Sequence, residues 1–416
     1  MTEIPRARPE RRLLWTWAVI VFTLLVTIGR SLRLPNEFAM THWLFDYRFG
    51  FMKRALVGAS VGAVTNLAGV PLSPTGIATL SLGLLVAFFG VLLMVLFRAT
   101  RSSAPTPEGV LVALVFVSSP FTVLSAHLVG YFDGLVYLLA ALAIALVLSD
   151  RPGSSAFVSI VGLLVHENYL LIGLPLVALA ATLVSAGNGR PSPRRRALVA
   201  LLPPVLAFGL ISLALAPGSG SDLQVRWVDH VKTVAFLGAR AQETVVWNTT
   251  PPAEFWGTQA SQFLRRLTDP GIFGPGLPAL LTVLAFAHGA YRIRPASRVS
   301  FLMLAGVLSP LLLHLVAWDS VRIAAYPTGG ALLALWILAS TRGAVEVGKG
   351  FRAFALVALM ANIFVRVPLM DGEVDRLTNG PRLLLYGPAL LIAARAALEG
   401  VRRGRPSDRP PGPLLS

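Results

Sequence analysis

Asp46 lies in the run Trp43-Leu44-Phe45-Asp46-Tyr47-Arg48-Phe49-Gly50-Phe51-Met52-Lys53-Arg54, where one acid is set among large apolar side chains and three bases. Solvated loops rarely carry so much aromatic surface, so this run is expected against lipid headgroups or lining a site at a membrane surface. There the Asp46 carboxylate can take a proton as a general base while Arg48, Lys53 and Arg54 hold a phosphate. The plainer reading of the same residues is a surface salt bridge, with bases facing anionic headgroups.

Three further constellations have the residue types for chemistry. His127-Leu128-Val129-Gly130-Tyr131-Phe132-Asp133-Gly134 joins two apolar runs through a glycine turn, with Asp133 free either to act in a bundle mouth or to cap the helix that begins at Gly134. His166-Glu167-Asn168 interrupts an otherwise continuous apolar stretch, which a membrane tolerates only where the break lines a protein cavity or reaches the surface. A carboxylate beside an imidazole can orient a hydroxyl, relay protons or ligate a divalent cation; it can also be a polar turn with Glu167 in the first turn of a helix. Trp318-Asp319-Ser320-Val321-Arg322 sets acid and base three apart, the spacing of a helical ion pair, with Arg322 the better placed of the two for a ligand. Trp227 and Asp229-His230 carry a weaker signal for sugar or lipid-phosphate contacts, and His288 reads as a core histidine. No Walker, Rossmann, zincin or Cys-x-x-Cys motif occurs, so soluble nucleotide chemistry has no support, and the one cofactor left open is a divalent cation.

The elements that must position these residues are membrane helices. At 416 residues, 55% hydrophobic and 13% charged, with a mean hydropathy of +0.70, the chain reads as a polytopic membrane protein. There are no cysteines, which excludes disulfides, thiolate metal sites and cysteine nucleophiles. The net charge of +16 is not a nucleic-acid signal, because most bases flank apolar runs in short loops, as orientation signals do. Met1 to Arg12 is polar, and the run Leu13 to Ile28 lacks a small-residue cleavage site behind it, so it is expected to remain as the first transmembrane helix.

Further spans are expected near 77–97, 109–126, 132–149, 197–216, 273–291, 299–317, 324–340, 353–367 and 382–399, and residues 156–186 split into two helices meeting at His166-Glu167. The expected fold is therefore an all-α bundle of about twelve transmembrane helices, one domain over residues 1–400, followed by a disordered cytoplasmic tail over 401–416. Both termini fall in the cytoplasm of a plasma (inner) membrane protein, because the loops near Arg98, Arg151, Arg194-Arg195-Arg196, Arg292, Arg342 and Arg352 are basic. Bases and acids balance on the other side, where His42, His127, His166, His230 and His314 also gather. The outer loops 30–75 and 219–272 are long, the first with an interfacial helix over Ala55 to Ala68, whose Gly58 and Gly62 are spaced for close helix contact. The second carries an amphipathic helix around Phe255, Trp256, Phe263 and Leu267.

This layout resembles the GT-C superfamily of integral membrane glycosyltransferases. The likeness lies in a short cytoplasmic N-terminus, one helix, a long first outer loop with an acid and an interfacial helix, many further helices and charged outer turns, and it covers most of the chain. It implies transfer of a sugar from a polyprenyl-phosphate donor to a glycan, lipid or protein acceptor on the outer face. It further implies Asp46 as catalytic base, Asp133 or Glu167 as the second acidic position, and Arg48, Lys53, Arg54 or Arg322 on the phosphate, with His127 and His166 positioning sugars. The chain departs from better-known members in having no paired Asp-Glu motif in the first loop, and no soluble C-terminal domain is expected. The alternative is a transporter or lipid-linked sugar flippase with proton-relaying histidines and acids, which inverted repeats and midplane charges would mark.

Overall fold

Proline and a hydroxyl side chain start two of the apolar helices. Ser73 and Thr106 accept hydrogen bonds from the N–H groups of Gly76 (3.1 Å) and Gly109 (3.0 Å), with Pro74 and Pro107 at the first helical position. The structure is a computed structural model that describes residues 9–100, 106–184, 192–214, 220–250, 273–291, 297–315, 319–342 and 349–403.

In chain order the helices are α1 (Pro9–Gly29), α2 (Glu37–His42), α3 (Ala55–Ala68), α4 (Pro74–Ala99), α5 (Pro107–Val117), α6 (Pro120–His127), α7 (Asp133–Leu148), α8 (Pro152–Val165) and α9 (Tyr169–Ile172). They continue with α10 (Leu174–Leu183), α11 (Pro193–Ala214), α12 (Gly220–Lys232), α13 (Ala239–Thr249), α14 (Phe273–Tyr291), α15 (Ser297–Leu308), α16 (Ser320–Arg342), α17 (Lys349–Phe364) and α18 (Asn379–Arg403). Among the described residues the structure is all-helical apart from an isolated bridge between Pro368 and Val374. The expected amphipathic helix around Phe255 to Leu267, Trp318, and all of the tail beyond Arg403 lie outside the described residues.

Five of these segments are long and apolar enough to cross a membrane: α4, α5 with α6, α11, α16 and α18 up to Glu399; shorter apolar helices surround them. The α16 helix is buried on nearly every side and packs against α4, α6, α14 and α15, so it is the axis of the bundle. By contrast, α11 exposes Leu206, Leu210 and Leu213, and α18 exposes Leu384, Leu391 and Leu398. Apolar surface that extensive needs hydrocarbon to cover it, so the chain is embedded in a membrane. The expected span at 109–126 is broken: α5 ends at Val117 and α6 restarts at Pro120, because Ser119 before the proline is extended (ψ 158°).

Cross-chain ion pairs show which helix ends share a side of the bundle. The end of α1 meets the segment before α18 (Arg30 to Asp375), the start of α7 meets α16 (Asp133 to Arg322), and the α8–α9 break meets the first loop (Glu167 to Arg54). At the other side, Asp150 after α7 pairs with Arg196 of α11, and Glu108 of α5 with Arg352 of α17.

The two long loops form one body over the first of these sides. Phe45, Met52 and Ala55 of the first loop share a small core with Leu223, Trp227, Val231, Ala241 and Val245 of α12 and α13. Glu37 of α2 accepts from the N–H groups of Gly238 (2.6 Å) and Ala241 (2.8 Å) at the start of α13. Gly58 packs against the chain at 43–45, where a Cβ would come within 2.1 Å of the Phe45 carbonyl oxygen; Gly62 faces open space. The expected close helix contact is thus a contact of Gly58 with a loop, and Gly62 has no part in it.

Candidate functional site

The turn between α6 and α7 is where the first loop is fastened. Gly130 has φ +91°, and a Cβ there would lie 2.9 Å from Pro35 Cβ, so glycine is required by both conformation and space. The Trp43 indole N–H donates to the Gly130 carbonyl (2.9 Å), which lays the loop across the start of α7. Asp133 follows immediately as the first residue of α7, and it caps nothing: Phe132 occupies the cap position and makes no side-chain cap bond. Instead Asp133 Oδ2 accepts from Arg322 Nη1 (3.0 Å), and Oδ1 accepts from the Tyr326 hydroxyl. Arg322 and Tyr326 are one turn apart on α16, so a single helix face presents both donors.

Arg322 also lies 2.9 Å, through Nε, from Asp319 Oδ2, the expected pair, and its guanidinium stands over the Tyr131 ring at 5.9 Å from the centroid. Two acids therefore share one guanidinium. Asp319 Oδ2 is buried and has no hydrogen bond. Burial pushes the Asp319 carboxyl up, Asp133 adds to this and Arg322 opposes it, leaving its proton affinity above the usual carboxylate range.

The other half of the site comes from the first loop and the α8–α9 break. Arg54 binds Glu167 through two parallel bonds, Nε to Oε2 (3.1 Å) and Nη2 to Oε1 (2.5 Å). Arg54 holds this position with φ +61°, a left-handed backbone that costs on the order of 1–3 kcal/mol for a residue other than glycine. Such a conformation persists only where its surroundings impose it. Burial pushes the Glu167 carboxyl up, but Arg54, with Lys53 behind it, outweighs this and holds the group well below the usual range. Glu167 is thus an ion-pair partner rather than only a polar turn. Burial also lowers the Lys53 ammonium, against Glu167 and with Arg54.

Two imidazoles complete the group. His42 is packed among Phe38, Phe45, Tyr131 and Phe132 at ring separations of 5.0–6.2 Å. Burial, then Arg54, pushes it down to about 3. His166 is pushed down to about 4 by burial and Arg54, against Glu167 and Asp133. Both rings are neutral at pH 7. The halves are electrostatically one site, since His166 feels Arg54, Glu167, Asp133 and Arg322 together.

The remaining expected site residues sit elsewhere. Asp46 is bound by Arg48, whose Nε lies 3.0 and 2.8 Å from its two oxygens and whose backbone N–H donates to Oδ1 (2.9 Å); Arg48 in turn reaches His230 (3.2 Å). No contact joins Asp46 to the Asp133–Glu167 group among the described residues. Of the aromatic residues around it, Phe45 and Phe49 pack on Trp227. Trp227 is fully buried, so it is core rather than a sugar platform. His127 is buried in a third group, with Nδ1 at 3.3 Å from the Ser31 carbonyl and Arg33 linking its carbonyl to Asp371 and Glu373. His288 packs on Phe354 as a core histidine would.

Sequence reasoning missed Tyr326, which stands one turn beyond Arg322, and the site role of His42. It also missed a fully buried cluster in which Arg30 and Arg382 both meet Asp375 and donate to the carbonyls ending α17, among them Asn362, Ile363 and Val365. Two cations for one acid are tolerable there because the C-terminal end of a helix carries partial negative charge.

No set of three or more His, Cys, Asp or Glu side chains is arranged to hold a metal ion among the described residues. Arg54 and Arg322 already occupy the carboxylates that a divalent cation would need. Comparison with protein-family models, curated proteins and solved structures gave no match in any of the three.

Proposed function

We propose that the chain is an integral membrane glycosyltransferase that moves a sugar from a polyprenyl-phosphate donor to a glycan, lipid or protein acceptor at the outer membrane face. One observation carries this reading: Arg54 and Arg322, from distant parts of the chain, converge with acids and neutral imidazoles beneath an aromatic loop at the end of an apolar bundle. Two guanidinia suit a phosphate, and the lipid surroundings suit a donor with a hydrocarbon tail.

The proposed topology has twelve spans, with α3 at the interface and both termini in the cytoplasm of the plasma membrane. It is supported by the basic residues at the opposite end, including Arg98, Arg151, Arg194, Arg195, Arg342 and Arg352.

In the proposed reaction the acceptor hydroxyl attacks the anomeric carbon, forming a new C–O bond as the bond to the phosphate oxygen breaks. The electron pair leaves on polyprenyl phosphate, held by Arg54 and Arg322, and the hydroxyl proton passes to a carboxylate. Asp319 fits that last role best, since Oδ2 is not hydrogen-bonded and the proton is held more tightly than usual. Asp133, bound by Arg322 and Tyr326, keeps the guanidinium aligned. The Asp46 carboxylate is already clamped by Arg48, so it braces the loop.

Transfer measured in membranes with a polyprenyl-phosphate sugar tests this. A general base contributes about 10²–10⁴ in rate, so Asp319→Asn should lose at least about a hundredfold in turnover and Asp46→Asn only a few-fold. The reverse order would return the base to Asp46, and unchanged activity in Arg54→Ala together with Arg322→Ala would remove the phosphate site. A proton-relaying transporter has less support, because the ion pairs found among the described residues gather at the two ends of the bundle and not between them.

A further inference from the structure

Several helical hydroxyls in this chain donate to the carbonyl four residues back, as an apolar setting favours: Thr23, Ser60, Thr79 and Ser212 do so at 2.7–2.9 Å. Ser81, two residues beyond Thr79 on α4, does not. Its Oγ is buried and makes no hydrogen bond. Ser125 of α6 makes none either among the described residues. Buried hydroxyls without a partner also occur at Ser155 and Thr328, so the missing bond alone marks nothing. What sets Ser81 and Ser125 apart is that both line one cleft, in which Ser155 and Thr328 have no part.

The cleft, of about 320 Å³, runs between α4 and the turn joining α6 to α7. Leu84, Leu85 and Phe88 form its α4 wall, residues 128–131 line it from the turn, and Asp133 also borders it. Leu84, Leu85 and Ser125 are half-buried whereas Ser81, Phe88 and Asp133 are buried, so the cleft has an open rim and a closed floor. The rim adjoins lipid, because α4 is long and apolar enough to cross a membrane and exposes Leu80 and Val86. At 26 residues α4 is about 39 Å long, about 9 Å more than the hydrocarbon thickness. Ser81 stands about 10 Å along it from Pro74. Even with all the excess length at that end, Ser81 lies no higher than the hydrocarbon edge, so its partner must come from the membrane.

The head group of that partner is uncharged. No Lys, Arg or His lines the cleft, and its acid is already satisfied, since Asp133 accepts from Arg322 and Tyr326. A phosphate or carboxylate would meet an acid and no cation, and an ammonium would have to compete with Arg322. A hydroxyl fits instead, because it can donate to one serine and accept from the other, while the leucines and Phe88 cover a hydrocarbon chain. At about 30 Å³ for each heavy atom, as in liquid water, the volume takes a small head and the first carbons of one chain.

We infer that this cleft binds a single-chain membrane lipid alcohol, whose hydroxyl bonds to Ser81 and Ser125 and whose chain leaves over Leu84 and Leu85 into the bilayer. The inference goes beyond the glycosyltransferase reading and does not depend on it: neither guanidinium proposed to hold the donor phosphate lines the cleft.

The test uses the purified full chain in phosphatidylcholine nanodiscs with an oleyl alcohol bearing a diazirine, crosslinked by light and mapped by mass spectrometry. Label is expected on Leu84, Leu85 or residues 128–131. Unlabelled oleyl alcohol should displace it at least about fivefold more effectively than octadecene or oleyl phosphate at the same mole fraction, the preference that two net hydrogen bonds supply. Ser81→Ala combined with Ser125→Ala should bring the alcohol down to the level of octadecene. Thr79→Ala, whose hydroxyl is taken by its own helix, should alter nothing.

Equal displacement by octadecene in the wild type means that any chain fills the cleft, or that water satisfies the serines, and overturns the inference. Displacement by oleyl phosphate as strong as by the alcohol overturns the uncharged head. Label confined to other segments, or a preference that survives the double variant, also ends the proposal. The comparison of the three competitors needs no variant, so the inference stays refutable even if the double variant does not fold.

Discussion

Replacing Arg322 by methionine keeps the length and apolar stem of the side chain and removes its charge. Its side chain is 14% exposed, and those of Asp133 and Asp319 are 9% and 14% exposed. The variant therefore leaves two nearly buried acids facing one another without a counter-charge. Removing one partner of a buried pair costs about 3–5 kcal/mol, and Arg322→Met should fall in that range. Asp133→Asn should cost less, about 1–3 kcal/mol, because Arg322 keeps Asp319 and the introduced amide oxygen can still accept from Tyr326.

The double variant decides the matter, since it removes the interaction once rather than twice. Its cost should fall short of the sum of the single costs by at least about 1.5 kcal/mol, within the range for groups in direct contact. Reversible denaturation of the detergent-purified chain, followed by tryptophan fluorescence, measures all three. The two positions are 189 residues apart in the chain, so no local helix effect can mimic the coupling. Additivity to within about 0.5 kcal/mol would refute the contact and, with it, the site built around it. A sign also follows for Arg322→Met: one of the stranded acids keeps its proton in the folded state, so the penalty should shrink as pH falls from 7 towards 5.

The wild type should show the opposite trend. His42 and His166 have folded values of about 3 and 4 against about 6.5 unfolded, so the unfolded chain binds more protons and stability falls as pH drops from 7 to 5, by about 2 kcal/mol for each ring. The groups facing them are Arg54 and Arg322 for both, with Glu167 and Asp133 at His166; His42→Phe should remove about half of the slope, and an unchanged slope would refute the assignment. Gly130→Ala combines an unfavourable φ with a clash against Pro35, and should destabilise the chain by roughly 1–3 kcal/mol while loosening the first loop, seen as faster proteolysis between Trp43 and Arg54. Because the chain has no cysteine, single cysteines report topology cleanly: one at the exposed Ser60 should label from outside intact cells with an impermeant thiol reagent, one at Ser192 should not, and labelling at 192 would invert the proposed orientation.

Helix positions were legible because the membrane allows a single backbone solution for each apolar run. The stretch 273–291 coincides with α14, and the split at His166-Glu167 separates α8 from α9 and α10. The break between α5 and α6 was legible in principle, since Ser118-Ser119-Pro120 places an extended pre-proline residue inside an apolar run. A hydropathy window averages over such a break, which is why 109–126 reads as one span.

The site was legible as a set of positions but not as a set of pairs. Spacing rules reach about four residues along a helix, which suffices for Asp319 with Arg322 and would have sufficed for Tyr326. They say nothing about Asp133 with Arg322, or about Glu167 with Arg54, 113 residues away. The ambiguity at Asp46 has the same origin. Aromatic residues around an acid are equally consistent with a sheltered base and with a small core that excludes it, and the sequence contains no term for the distant surface that decides between them. Here that surface is Trp227, which takes up Phe45 and Phe49. Arg48, only two residues away, then claims Asp46. Arg54, at the far end of the same run and held in a left-handed conformation, is the residue the loop carries to the centre. The first loop contributes to the site through its last base rather than through Asp46, because the partner each can reach is set by how the loop folds on α12.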